Sequence, residues 1–134
     1  MKKIFIFTYL FLFFACPAFS ARWGEIFEKK YIDLETITPN YQEKTLTFWT
    51  KDLRKNASDK ILGKDYWFIM NKWEISCSDK MSRIRSIYIY DLQNNLIYED
   101  TTVPSFNEIV PETYADGYYR LFCLVPFDEN PFLK

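Results

Sequence analysis

Two cysteines, Cys77 and Cys123, stand 46 residues apart behind a first 20 residues that read as an export leader, and no other feature constrains the fold as much. An exported domain meets an oxidising compartment, where an even pair of cysteines is read as one disulfide, the alternative being two buried free thiols. Closing a loop of that length restricts the unfolded chain by about 4 kcal/mol on the chain-entropy model. Whatever surrounds Cys77 must then pack beside whatever surrounds Cys123.

The leader rests on its own pattern. Lys2 and Lys3 give a short positive start, the run from Ile4 to Ala15 is apolar apart from Thr8 and Tyr9, and small residues follow. That run is too short for a membrane span, which needs about 20 residues. Residues 1–20 are therefore read as a signal peptide and 21–134 as a single domain with no transmembrane span. Ala18 and Ser20 place the cut between Ser20 and Ala21. The alternative is lipidation at Cys16, although Phe13 stands where a lipoprotein signal usually has an aliphatic residue. The first outcome discards Cys16 and leaves the protein free in the periplasm; the second anchors it in the outer membrane.

Several function classes drop out. Losing Lys2 and Lys3 from 17 basic residues leaves 15 against 18 acidic ones, a net charge of about −3, with no basic surface for nucleic acid. There is no histidine, which removes Ser-His and Cys-His nucleophiles, the commonest general base and the usual zinc ligand. No G-x-S-x-G elbow, phosphate-binding glycine loop or C-x-x-C motif is present. The carboxylate pairs Asp33 with Glu35 and Glu99 with Asp100 are the remaining acid/base candidates. Neither sits in a recognisable motif, and no calcium-loop spacing is visible, so no catalytic, metal or cofactor residue is assigned. The stretch from Asp52 to Asp65 carries Arg54, Lys55, Lys60 and Lys64; it reads as a solvated loop with Asn56, Ser58 and Gly63 as turn residues, or else as an anion patch.

The remaining pattern is mostly that of strands. "KTLTFWT", residues 44–50, alternates Leu46 and Phe48 with Thr45, Thr47 and Trp49, as a half-buried strand does. Residues 66–79 and 81–91 are long enough for two more. In the second, Ile84, Tyr88 and Tyr90 fall on one face and Arg83, Arg85, Ile87 and Ile89 on the other, which predicts a central strand covered on both sides. "QNN" then separates it from "LIYEDTT", giving an antiparallel meander. In "VPETYADGYYRLFCLV" the residues Tyr114, Tyr118, Leu121, Phe122 and Val125 recur at helical spacing, with Pro111 suited to the first turn and Glu112 to the dipole. Gly117 inside it costs up to about 1 kcal/mol relative to alanine. The fold class expected is α+β: an antiparallel sheet of five to six strands packed with a C-terminal helix, to which the disulfide staples the strand holding Cys77.

The order of these landmarks is similar to that of a known family. "YIDLETI" at 31–37, "LTFWTK" at 46–51, "WEISCSDKMSRIRSIYIYDLQNNLI" at 73–97 and "FNEIVPETYADGYYRLFC" at 106–123 resemble the surface-adhesin protein E family of small exported bacterial domains. Asp33, Leu34, Ile37, Trp49, Cys77, Arg83, Tyr90, Asp91, Ile109, Pro111 and Cys123 fit its pattern. Ser76 replaces the usual Asp before the cysteine, Asn95 stands near the hairpin glycine, and Phe106 replaces a Trp.

The resemblance implies the same sheet-and-helix fold, no enzymatic activity, and a surface-exposed protein of a kind that binds host extracellular-matrix proteins. The residues themselves add a surplus of aromatic side chains, of which Trp49, Tyr88 and Tyr98 are candidates for a recognition patch and otherwise belong to the core. The partner expected is thus a protein, with adhesion as the leading reading. A periplasmic inhibitor or accessory protein of a cell-envelope enzyme is the alternative, and an exposed edge strand leaves room for a homodimer.

Overall fold

The computed structural model describes residues 21–133. Cys16, Ser20 and the rest of the leader lie outside the described residues. Strands β1 (Trp23–Phe27), β2 (Lys30–Asp33), β3 (Thr38–Asn40), β4 (Thr45–Leu53), β5 (Lys60–Ile61), β6 (Lys64–Asp65), β7 (Phe68–Ser76), β8 (Met81–Tyr90), β9 (Leu96–Asp100) and β10 (Asn107–Glu108) precede helix α1 (Tyr114–Cys123) and a 3-10 turn at Pro131–Leu133. An antiparallel sheet runs β1-β2-β4-β7-β8-β10, with β3 beside β4 and β9 beside β8. The fold is α+β, its principal path has six strands, and β7-β8-β9 is the expected meander.

Alternation along β4 sends Leu46, Phe48 and Thr50 to the helix side, where all three are fully buried. Their register partners on β7, Ile75, Trp73 and Asn71, extend the same face. Helix α1 lays Tyr118 and Phe122, one turn apart, onto it: the Phe48 ring lies 5.1 Å from each, and Trp73 lies 5.2 Å from Tyr118. Burying side chains of this size contributes roughly 1.5–3 kcal/mol each. Cys77, just past β7, is bonded to Cys123 at the end of α1, with their Cα atoms 5.3 Å apart, so the strand and the helix are joined beside the buried core.

Expectations about the helix limits and about the faces of β8 need correcting. The helix starts at Tyr114, three residues after Pro111, because Glu112 has φ +62°, outside the helical region. Thr113 is the N-cap: its Oγ1 accepts from Asp116 N at 3.3 Å, while Asp116 Oδ2 accepts from Glu112 N at 3.2 Å. Val125 lies beyond the helix and is exposed. Within α1, Gly117 faces β1 so closely that a Cβ there would lie 2.5 Å from Phe27 Cζ, which accounts for a glycine in a helix interior.

The second correction concerns β8. Lys72 pairs with Ser86 but the next residue, Trp73, pairs with Ile84, so Arg85 is an extra, bulged residue. The bulge resets the alternation: Ile84 shares the helix-side face with Ile87 and Ile89, while Arg83 falls on the opposite face with Tyr88 and Tyr90. β8 is interior to the sheet, as expected, but among the described residues no helix covers its tyrosine face.

The β8–β9 hairpin turns at Asn94, φ +66°, as the Asn-rich linker predicts. Asp91 Oδ1 accepts from Asn95 N at 2.8 Å and Gln93 N at 2.9 Å, and the Asn95 backbone bond above all holds its carboxyl below the usual range. The segment expected as a polar loop is shorter than its sequence suggests. β4 runs to Leu53, and β5 and β6 close a small hairpin about Leu62 and Gly63, both at positive φ.

Candidate binding face

The sheet face away from α1 collects the other half of each strand. β4 places Trp49 and Lys51 there, β7 places Phe68, Met70 and Lys72, and β8 places Tyr88 and Tyr90. The register sets Trp49 beside Lys72, Met70 beside Tyr88 and Phe68 beside Tyr90. Trp49 and Tyr88 lie 5.8 Å apart across the intervening strand, and Phe68 stacks on Tyr90 at 4.7 Å. β1 adds Trp23, whose register partner is Asp33 of β2.

These rings enclose an open groove of about 430 Å³, walled by Trp23, Trp49, Met70, Tyr88 and Tyr90, with Ala21, Asp33 and Thr36 completing its lining. The turn after β2 fixes the polar side. Asp33 Oδ1 accepts from Glu35 N at 3.0 Å, and the Asp33 carbonyl accepts from Thr36 N at 3.2 Å and from its hydroxyl at 3.1 Å. Thr36 Oγ1 in turn accepts from Trp49 N at 3.4 Å, which ties the turn to β4. Outside the groove, Lys72 Nζ sits 5.8 Å from the Trp49 ring centre, and Lys51 Nζ sits 4.4 Å from that of Phe68 and 5.9 Å from that of Trp23. Farther along the same face Glu74 is held by Arg83 at 2.7 Å and by Arg85 at 3.5 Å.

The carboxylate pairs do not converge. Asp33 is buried in its turn while Glu35 points to solvent beside Arg22, 3.5 Å away. Glu99 and Asp100 are neighbours on one strand, so their side chains leave on opposite faces; Asp100 Oδ1 caps Thr102 N at 2.8 Å. Among the described residues no group of three or more His, Cys, Asp and Glu could hold a metal ion, and no helix is long and apolar enough to cross a membrane.

A second cavity of about 250 Å³ lies beside Lys30, Asp52, Tyr66 and Tyr114 on the helix side. Asp52 Oδ2 accepts from Lys30 Nζ at 2.5 Å and from Asn71 Nδ2 at 3.2 Å, while Asp52 Oδ1 is buried without a partner. Nearby, Tyr118 is 1% exposed and its hydroxyl has no partner of good geometry. Burial first, and the Asp52 charge second, push that phenol well above its ordinary pKa, with the Thr50 hydroxyl partly offsetting them.

Of the three aromatics singled out in the sequence, Trp49 and Tyr88 meet in the groove. Tyr98, paired with Ile89, faces the other side. Ala21, read only as a cleavage residue, lines the groove, as do Trp23, Met70, Tyr90 and Asp33, to which the sequence assigned no part in a recognition patch. A signal exists for Met70 and Tyr90, which share the alternation phase of Lys72 and Tyr88. For Trp23 and Asp33 the deciding fact is a strand pairing that no local pattern reports.

No protein-family model matches the chain, and neither does any curated protein sequence. Solved structures do. The chain is similar to crystal form II of Haemophilus influenzae protein E at 13% identity, over 72% of this chain and 80% of that one, with a TM-score of 0.53. It is also similar to protein E from non-typeable Haemophilus influenzae at 15% identity, over 81% and 80% of the two chains, with a TM-score of 0.52. At these identities the likeness is one of fold, and the chain has a protein E-like fold.

Proposed function

We propose that this chain is an exported, non-enzymatic binding domain of the surface-adhesin kind, which holds a host extracellular-matrix protein against the aromatic face of its sheet. The observation that carries this reading is the groove itself: two tryptophans and two tyrosines gathered from β1, β4 and β8 on a face that, among the described residues, no helix covers. Rigid rings of this kind supply contact area at low entropic cost and dominate many protein interfaces. The likeness in fold to protein E adds support. Export through the leader, with a cut between Ser20 and Ala21 or an anchor at Cys16, belongs to the same proposal, as does a single domain over 21–134.

Two measurements test it. Protease treatment of intact cells should remove the protein if it is displayed, whereas a soluble periplasmic pool would favour an accessory role toward a cell-envelope enzyme. Exported protein should be captured on immobilised matrix proteins, and the Trp49→Ala/Tyr88→Ala variant should lose capture while keeping its melting temperature within a few degrees. Undiminished capture by a folded variant overturns the assignment of this face.

A further inference from the structure

We infer that the groove recognises a cation, and specifically a lysine or arginine side chain projecting from the partner protein. The inference rests on the docking face proposed above and adds the chemistry of its anchor.

Among the described residues Asp33 is the only charged one lining the groove, and it is 5% exposed. One of its oxygens, Oδ1, accepts the Glu35 backbone N–H, and among the described residues no lysine or arginine pairs with it. Oδ2 is not among the buried atoms left without a partner, so it keeps access to the groove's solvent, and an occupant that displaces this water without replacing its hydrogen bonds leaves the charge poorly compensated. Trp23, Trp49, Tyr88 and Tyr90 line the same groove, and aromatic faces attract ammonium and guanidinium groups, tryptophan most strongly.

The protein's own lysines display the same attraction. Lys72 and Lys51 lie over Trp49 and Trp23, yet neither lines the groove. Those ammonium groups are partly in water, so their repulsion of an incoming cation is screened, whereas the Asp33 charge acts through a more apolar medium. Net attraction for a positive group results. A neutral apolar side chain would leave Asp33 uncompensated, and an acidic one would add repulsion. The volume of about 430 Å³ exceeds one side chain, so the flanking backbone of the partner would enter with it.

The test uses exported protein labelled at its tryptophan indoles, titrated with a short blocked Gly/Ser peptide bearing one arginine, with its citrulline counterpart, and with choline. Citrulline keeps the shape of arginine and lacks its charge. The arginine peptide should move the Trp23 and Trp49 indole signals and bind about tenfold more tightly than the citrulline peptide, the scale of a desolvated cation–aromatic contact. Asp33→Asn keeps an oxygen for the Glu35 N–H and should erase that difference. Tyr88→Leu, which leaves the turn untouched, should weaken the arginine peptide as well.

Equal binding of arginine and citrulline peptides, tighter binding of choline or of a glutamate peptide, or an Asp33→Asn variant that still discriminates would each overturn the inference. If arginine is not preferred but Trp49→Ala/Tyr88→Ala still loses matrix-protein capture, the docking face stands and the cationic anchor falls. Arginine preference with capture unaffected supports the anchor and removes the docking assignment.

Discussion

Replacing Gly117 with alanine sets helix propensity against packing, and the structure indicates which wins. In an exposed helix interior the change stabilises by about 1 kcal/mol. Here the new methyl would lie 2.5 Å from Phe27 Cζ and 3.3 Å from both flanking ring carbons. The ring has little room to retreat, because it is tilted against Tyr114 at 5.3 Å and against Tyr118 at 5.9 Å. Overpacking of this kind costs about 1–3 kcal/mol. The net expectation for Gly117→Ala is a loss of about 1 kcal/mol, or roughly 4 °C in melting temperature for a domain of this size. Urea denaturation of four proteins tests the cause: wild type, Gly117→Ala, Phe27→Leu and the double variant. In the Phe27→Leu background the branched side chain can yield, and the alanine should become neutral or stabilising. A Gly117→Ala protein more stable than wild type, or a penalty of the same size in both backgrounds, would refute the reasoning.

Three further outcomes are expected of the same fold. The Cys77→Ser/Cys123→Ser variant should lose about 4 kcal/mol, lowering the melting temperature by roughly 15 °C, and reductant should have no further effect on it; a wild-type melt insensitive to reductant would contradict this. Thr113→Ala removes the α1 cap and should cost about 1 kcal/mol in denaturant unfolding, so an unchanged midpoint would count against the cap. Because the Tyr118 phenol is harder to ionise folded than unfolded, its contribution is complete below about pH 10 and is lost progressively at higher pH. Tyr118→Phe should therefore flatten the alkaline fall in stability, and parallel curves for the two proteins would rule the effect out.

The parts of the fold legible in the sequence are those that local rules determine. Leu46 and Phe48 declare β4 by alternation, Asn94 marks the hairpin by its tolerance of positive φ, and Tyr118 and Phe122 declare the buried stripe of α1. The helix start is legible only in part: Pro111 and Glu112 suit a first turn, but Thr113-x-x-Asp116 supplies the cap and Glu112 at φ +62° lies outside the helix. The groove was half legible. Trp49 and Tyr88 stood out as surplus rings, but only the pairing of β7 between β4 and β8 brings them within 5.8 Å, and only the β1–β2 pairing brings Trp23 and Asp33 to the same place. Register of this kind arises from long-range closure, which no window of sequence contains.

The bulge at Arg85 affects how this chain should be aligned with any relative. A protein of the same fold with a regular eighth strand would be one residue shorter there. An ungapped alignment anchored on Cys77 would then equate Ile87 and Ile89, which face the helix, with residues that face the open side. A gap inside a strand is what alignment scoring usually penalises most heavily, yet here it is the placement that keeps inward residues matched to inward ones. The tyrosines at 88 and 90 can be compared meaningfully across such relatives only after that single residue has been set aside.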